Sequence, residues 1–478
     1  MKIMELSNYK SIVKPKNKKR LAFLAVFYFL LLFTFVHFGS HTFCDEQMQI
    51  LNLSSHFIIS ALVLSLSAFY FQNYYKSTWL SLRKLSLLAL IVAFSFIFSS
   101  GFNLLAHHYV DYLSIHSQYP LLIPFASVLI SLFLGSEIAF FVSTIISLLT
   151  AFTLDVDFSK FFIMNMLCSL TAILCTQNMY KQKQILTVFL KIWLVSVSIL
   201  FMFHFSDYFF NRDLFLADLF FSLFFIIFST VLVILLFPIL EHTFKLTTAI
   251  SLMELADPNH PLLRKFSLEA PGTYQHSLVV GNLSERAAYA IQANALFCRI
   301  SSLYHDVGKL SNPHYFNENY MGGLNIHQLL TPKESAAVIL SHIHEGELLA
   351  KRYKLPSHFI DVIKEHHGTS VVKHFYQKEL ELHQGDTEQV SLNDFRYMGP
   401  KPRTKESAII MMADKIEAAS RSLDNATEES IAYLVSSIIE EKISSGQLEE
   451  SPLTFVELSI IKKEFIKTLV NVRHLRPK

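Results

Sequence analysis

FLADLFFSLFFIIFSTVLVILLFPI (residues 215–239) runs directly into LEHTFKLTTAISLMELADPNHPLLRKFSLEAPGTYQH (residues 240–276), and at that junction the chain changes solvent. The first stretch is apolar over the roughly 17–25 residues that a helix needs to cross a bilayer. The second mixes charges with Pro258, Pro261, Pro271 and Gly272, the punctuation of a water-facing chain. Apolar residues concentrate before Leu240 and charged residues after it. The 478 residues are 52% hydrophobic and 14% aromatic, with 44 Phe and only 17% charged. Soluble domains average about 25% charged residues, so part of the chain is expected in lipid. A formal net charge of +2 gives no case for a nucleic-acid polymer as partner.

Working upstream from 215–239, seven further apolar runs can be read, at about 21–39, 57–73, 85–105, 120–134, 138–154, 160–177 and 185–205. Only Gly135, Ser136 and Glu137 separate the fourth and fifth, so the count of crossings is seven or eight. A basic N-terminus, residues 1–20 with Lys14, Lys16, Lys18, Lys19 and Arg20, precedes the first run; no small-residue cleavage site follows, which predicts an uncleaved anchor. The positive-inside rule places this N-terminus in the cytoplasm, together with the loops 73–84 (Lys76, Arg83, Lys84) and 180–184 (Lys181, Lys183). Loops 44–55, 106–119, 155–159 and 207–213 fall on the other face, with Arg212 their only Lys or Arg. Eight crossings then leave everything after 239 in the cytoplasm, as expected of a multi-pass protein of the cytoplasmic (inner) membrane. Lys191, within the seventh run, reads as a snorkelling or helix-facing residue, and no intramembrane cluster suggests a transport path. Cys44, Cys168, Cys175 and Cys298 fit neither a disulfide framework nor a zinc spacing.

The soluble half reads as amphipathic helices broken by polar segments: 276–292, 294–307, one beginning at Pro332, 357–367 stopped by Gly368, 405–422, and two or three more. No strand alternation competes. The expected fold is therefore all-α: a polytopic membrane bundle over 21–239, a connector over 240–270 and an all-α domain over 271–478. On these segments stand His276, the pair His305-Asp306, His342, the pair His366-His367 and Asp414. Neutral imidazoles and carboxylates hold Zn, Mn or Fe, and one carboxylate can bridge two such ions. On an α-helix adjacent side chains diverge by about 100°, so each pair is expected to flank a site from one edge while other helices supply the rest. Together these residues point to a two-metal centre that activates water against a phosphorus ester.

Other histidines carry less. His344 lies two residues from His342 on nearly the opposite helix face, and His260, His314, His327, His358 and His374 lack a fixed partner, although His314 and His327 are candidates to line a cleft. Lys309, three residues after Asp306, would neutralise phosphate oxygens or protonate a leaving oxygen.

HSL from His276, YHDVGKL from Tyr304, SHIHEG from Ser341, EHHG from Glu365 and MMADKIEAA from Met411 resemble the HD superfamily of metal-dependent phosphohydrolases. LTTAISLMELADPNHPLLRKFSLEAPGTYQHSLVVGNLSERAA, YFNEN, FRYMGPKPRTKESAI and SSGQLEESPLTFVEL narrow this to a resemblance to the membrane-anchored 7TM–HD proteins, dense from 240 to about 475. The resemblance implies hydrolysis of cyclic di-AMP to linear pApA by a metal-activated hydroxide. It implies His276, His305, Asp306, His342, His366, His367 and Asp414 as ligands of two divalent ions, Mn or Fe, with Asp306 bridging. His342 is preferred to His344 because it holds the SH-x-x-x-G position. The expected partners are a cyclic dinucleotide and the lipid bilayer, with a homodimer left open.

Three departures from the family pattern stand out. Only about 17 residues separate the first two runs, too few for an extracytoplasmic domain. Asn325-Ile326-His327-Gln328 stands where relatives read NPHD, and Tyr320 where YFxENQ ends in Gln. For the substrate, Tyr315, Asn317, Glu318 and Asn319 are polar groups able to meet base or ribose, and Lys401 and Arg403 sit on a stiff basic loop suited to phosphate. Thr369-Ser370 after Gly368 excludes the GYP tripeptide of the cyclic di-GMP class. Another nucleotide substrate, or a metal-free receptor with an HD fold, are the competing readings.

Overall fold

The computed structural model describes residues 46–109, 123–153, 157–210, 212–319, 326–423 and 427–474. The basic N-terminus, the 21–39 run, Cys44, Tyr320 and Asn325 lie outside them. The chain divides into two compact units, 1–250 and 251–478. Both are helical: among the described residues the only extended pairing is an isolated bridge between Val371 and Arg396.

In the first unit the apolar runs become α1 (Glu46–Tyr74), the short α2 (Lys76–Trp79), α3 (Leu82–Tyr109), α4 (Ile123–Leu134), α5 (Ser136–Thr153), α6 (Phe158–Thr176), α7 (Gln184–Phe210) and α8 (Arg212–Phe244). A helix satisfies every backbone group within its own segment, as lipid demands. Among the described residues four stretches, Leu82–Ser99, Phe158–Thr176, Gln184–Phe205 and Phe215–Phe244, are long and apolar enough to cross a membrane; Ile123–Leu134 and Ser136–Ala151 are shorter apolar helices. The tight turn read between the fourth and fifth runs is Gly135, whose φ of +100° only glycine adopts readily. The pair it joins is tied by Ser127 Oγ to Ser143 Oγ at 2.8 Å, and Thr176 Oγ1 donates to Ser131 Oγ at 2.7 Å, bringing in α6. Small hydroxyl residues of this kind hold apolar helices together without a solvent-driven force. Leu186, Leu190 and Leu194 of α7 and Ile227, Val231 and Leu235 of α8 remain exposed, a surface for acyl chains. Lys191 lies on the exposed surface of α7.

Two sequence expectations change here. Residues 46–55 and 106–109, expected in loops, continue α1 and α3, because hydropathy marks the length held in lipid and not where a helix ends. Asp218, passed over as an intramembrane charge, is buried on α8.

The second unit contains α9 (Ala249–Leu255, which begins before its boundary), α10 (Pro261–Glu269), α11 (Pro271–Ala290), α12 (Ala295–Ser302), α13 (Pro332–Arg352), α14 (Ser357–Glu365), α15 (Lys373–Leu382), α16 (Lys405–Ser420), α17 (Glu428–Ser444) and α18 (Phe455–His474). Proline at the first helical position starts α10, α11 and α13, where its missing N–H costs nothing. Thr331 and Glu334 close a capping box on α13. One apolar core joins α11, α16, α17 and α18 through Val280, Leu283, Ile409, Ile416, Ile439 and Phe465. A second joins α10 to α12 and α14 through Leu262, Phe266, Ile300, Tyr304, Phe359 and Ile363. Residues 252–270, expected as a connector, thus contribute helices to this second core.

Candidate metal centre

His276 projects from the second turn of α11, His342 from the middle of α13 and Asp414 from α16. The two pairs stand differently from the helical expectation. α12 ends at Ser302, and His305-Asp306 lie in the turn before the 3-10 segment Val307–Ser311. Likewise α14 ends at Glu365, so His366-His367 occupy the turn beyond it. A turn is not bound to the 100° step of a helix. His305 Nε2 and Asp306 Oδ2 therefore come within 3.3 Å of each other, and the His366 and His367 rings within 4.1 Å between centroids. Gly308 permits the approach: a Cβ there would lie 1.8 Å from the His342 carbonyl oxygen and 2.5 Å from the Gly346 nitrogen.

All seven side chains converge, in two groups. His276, His305, Asp306 and Asp414 form one; Asp306, His342, His366 and His367 form the other; within each, the candidate ligand atoms lie within 4.8 Å of one another. Asp306 belongs to both and divides its oxygens between them. Oδ2 is 3.3 Å from His305 Nε2 and 3.7 Å from His276 Nε2. Oδ1 is 3.5 Å from His342 Nε2 and 3.6 Å from His366 Nε2. Asp414 does the same more loosely, with Oδ1 2.9 Å from His276 Nε2 and Oδ2 3.7 Å from His367 Nδ1. All are buried except His367, which is partly exposed.

The rings are held from behind. Nδ1 of His305, His342 and His366 lies 2.7, 2.6 and 2.8 Å from the carbonyl oxygen three residues earlier, on Ser302, Ile339 and Ile363. A carbonyl only accepts, so each Nδ1 carries a proton and each Nε2 is turned inward, where a metal would take its lone pair in place of any proton. Two such lone pairs, on His342 and His366, face each other at 3.4 Å, an arrangement that calls for a cation between them. Two nitrogens each about 2.1 Å from one ion stand about that far apart. His305 Nε2 and Asp306 Oδ1 are buried with no hydrogen-bond partner, a costly state for polar atoms that a metal ion relieves. The donor set therefore fits divalent ions.

Charge is concentrated here. Burial alone would raise the Asp306 carboxyl, but Lys309 and His305 hold it well below the usual carboxylate range. Burial disfavours charge on His305, and Asp306 and Asp414 overcome it, lifting the ring to about 10. His342, where burial prevails, is pushed down to about 4. Lys309 Nζ lies 2.7 Å from Asp306 Oδ2 and 2.8 Å from Glu318 Oε1, and 4.9 Å over the Phe316 ring. Two of its three donors are thus engaged by carboxylates.

The other expected contacts are placed less simply. Asn319 is buried against the start of α11, its Oδ1 accepting from Thr273 N and its Nδ2 donating to Thr273 Oγ1. Glu318 partners Lys309. Asn317 is exposed. Tyr315 stacks edge-on against His327, whose Nε2 lies 2.8 Å from the Tyr315 carbonyl oxygen. Lys401 pairs with Glu449 at 2.9 Å and Arg403 with Glu450 at 3.2 Å. The sequence reading missed two residues. Glu417 contacts His276 Nδ1, and its signal was present, since it lies three residues after Asp414 on the same helical face. Tyr397 is stacked on His367 at 4.3 Å; it sits in an irregular segment, and no periodicity pointed to it.

Imidazoles and carboxylates gathered in two groups about a shared aspartate, within an all-helical domain that follows a set of apolar helices, define a membrane protein carrying an HD domain. A family model described as a 7TM receptor with intracellular HD hydrolase matches residues 50–248, and an HD domain model matches residues 273–419. The chain thus carries in succession the two regions found in membrane-anchored 7TM–HD proteins. It is 46% identical over 248 residues to the cyclic-di-AMP phosphodiesterase PgpH of Bacillus subtilis, covering 52% of this chain and 34% of that protein. Against the PgpH of Listeria monocytogenes it is 44% identical over 239 residues, covering 50% and 33%. Crystal structures of the Listeria PgpH HD domain, alone and with cyclic-di-AMP, are 42% and 43% identical; each match covers 45% of this chain, and 100% and 99% of the solved chains, with a TM-score of 0.43. The chain spans about a third of the length of the curated relatives it matches.

Proposed function

We propose that this protein is a metal-dependent phosphodiesterase that opens one phosphodiester of cyclic di-AMP to give linear pApA. The observation that supports this most is the convergence of two ligand groups on Asp306, one of whose oxygens, together with His305 Nε2, is buried without a hydrogen-bond partner. His276, His305, Asp306 and Asp414 would hold one divalent ion, and Asp306, His342, His366 and His367 the other, with Mn or Fe suited to this mix of imidazole and carboxylate. When bound, such ions supply Lewis-acid charge and make water more acidic. The chain's own residues do the rest. The main-chain carbonyls behind His305, His342 and His366 fix which ring nitrogen faces inward. Lys309 keeps Asp306 ionised, and its third donor is available to a phosphate oxygen. Tyr397 stacks on the partly exposed His367 and limits its rotation. Lys401 and Arg403, each paired with one glutamate, keep further N–H donors that could meet substrate. With eight crossings and a cytoplasmic N-terminus, the domain would face the cytoplasm, where a cyclic dinucleotide second messenger is found.

The test is turnover by the full chain, extracted in detergent and supplied with Mn²⁺ or Fe²⁺. Release of pApA from cyclic di-AMP, faster than any product from cyclic di-GMP, is expected; no turnover of either with either metal would refute the proposal.

A further inference from the structure

Three of the inward-facing imidazoles, those of His305, His342 and His366, are held through Nδ1 by a main-chain carbonyl three residues back. His276 and His367 are not; His367 stacks on Tyr397, and His276 is held by a side chain. The His276 Nδ1 partner is not a main-chain carbonyl but the carboxylate Oε2 of Glu417 on α16. Glu417 is itself anchored, since its Oε1 accepts from Arg421 Nε at 2.9 Å and lies 2.9 Å from Arg421 Nη2. The His276 and Glu417 side chains are buried, whereas Arg421 reaches the surface.

We infer that Glu417 is a positioning residue for one ion only, the one held by His276, His305, Asp306 and Asp414, and that it acts by accepting the His276 Nδ1 proton and turning Nε2 inward. The inference rests on the binuclear reading proposed above. Asp414 and Glu417 are three residues apart on one helix, so α16 presents a direct donor and the support for a second donor together. The other group contains no ring held by a side-chain carboxylate, and its geometry does not depend on Glu417. Loss of such an outer partner typically weakens metal affinity about 10- to 100-fold.

The experiment is a Mn²⁺ titration of the full chain in detergent, with bound metal counted by elemental analysis after equilibrium dialysis. Wild type is expected to bind two ions. Glu417→Leu should weaken one of them about 10- to 100-fold and leave the other unchanged. Glu417→Gln, isosteric and still offering an oxygen acceptor, should recover most of that loss, and its melting temperature guards against misfolding. Equal weakening of both ions, or no weakening in either variant, would overturn the inference while leaving the binuclear site standing. A wild-type protein that binds no ion would overturn both.

Discussion

Replacing Gly308 by Ala tests whether the two halves of the metal centre depend on one backbone contact. The new Cβ would stand 1.8 Å from the His342 carbonyl oxygen and 2.5 Å from the Gly346 nitrogen, where real Cβ contacts do not fall below 3.0 Å. α13 must therefore retreat from the turn carrying Asp306 by about 1.2 Å, the difference between those two distances, because both obstacles are backbone. It cannot retreat freely, since a Cβ on Gly346 would already press Ile363 of α14 at 2.9 Å. Overpacking of this kind costs about 1–3 kcal/mol and sometimes more, and a backbone obstacle belongs at the upper end. For a domain of this size about 3 kcal/mol lowers the melting temperature by roughly 6–12 °C. His342 Nε2 would also leave its 3.5 Å position from Asp306 Oδ1, and a misplacement of about 1 Å can cost about 100-fold in rate. Differential scanning fluorimetry, metal counting and phosphodiesterase turnover read the three effects. Gly101→Ala, with no neighbour within 4 Å of its Cβ, is the control. A Gly308→Ala protein with unchanged melting temperature and two bound ions would refute the reasoning.

Lys309→Met should leave Asp306 and Glu318 buried without their cation. Breaking a buried pair from one side costs about 3–5 kcal/mol, so the melting temperature should fall by roughly 10 °C, and adding Glu318→Gln should restore part of it; an unchanged single variant would discard the ion-pair account. Asp306→Asn removes the carboxylate most closely shared by both groups and should abolish binding of both ions, whereas retention of either by elemental analysis would deny its shared role. Lys442, buried on α17 with Ser370 Oγ 3.0 Å from its ammonium, is held below its ordinary value of 10.5 by burial, with Asp414 opposing. The folded chain thus binds this proton less tightly than the unfolded chain. The penalty is complete below the folded-state value and fades as pH climbs toward 10.5. Wild type should therefore gain stability relative to Lys442→Met as pH rises toward 10.5, and a constant difference in melting temperature would contradict the shift.

Much of this was legible before any coordinates. The apolar runs from 120 to 239 match α4 through α8 to within a few residues, because hydropathy over about 20 residues admits few alternatives. The seven side chains that converge were all named, because HD, HH and three separate partners combine residue types suited to a metal. What failed was local geometry. HD and HH were assigned to helices, but periodicity cannot say where the last turn ends, and both pairs lie just past a helix terminus. Glu417 was visible at i+3 from Asp414 yet unassigned, since acidic residues on helices are usually solvated. Asn319 and Glu318 were polar residues in a suggestive place whose partners, Thr273 and Lys309, only folding brings near. Tyr397 rests on chain reversal around residues 370–396, which no local pattern encodes.

The ion pairs around the centre have an electrical consequence. Lys309, shared by Asp306 and Glu318, and Arg421, beside Glu417, offset two of the four carboxylates counted with Asp414, leaving a net charge of about minus two. Two seated divalent cations would bring four positive charges against those two negative ones. Before a bound water gives up its proton, the loaded cleft would then carry a surplus of about two, opposite in sign to the two phosphodiester charges of a cyclic dinucleotide. A linear product with a terminal phosphate carries more negative charge than the ring it came from, so its departure, rather than the arrival of the ring, would be the step most sensitive to salt.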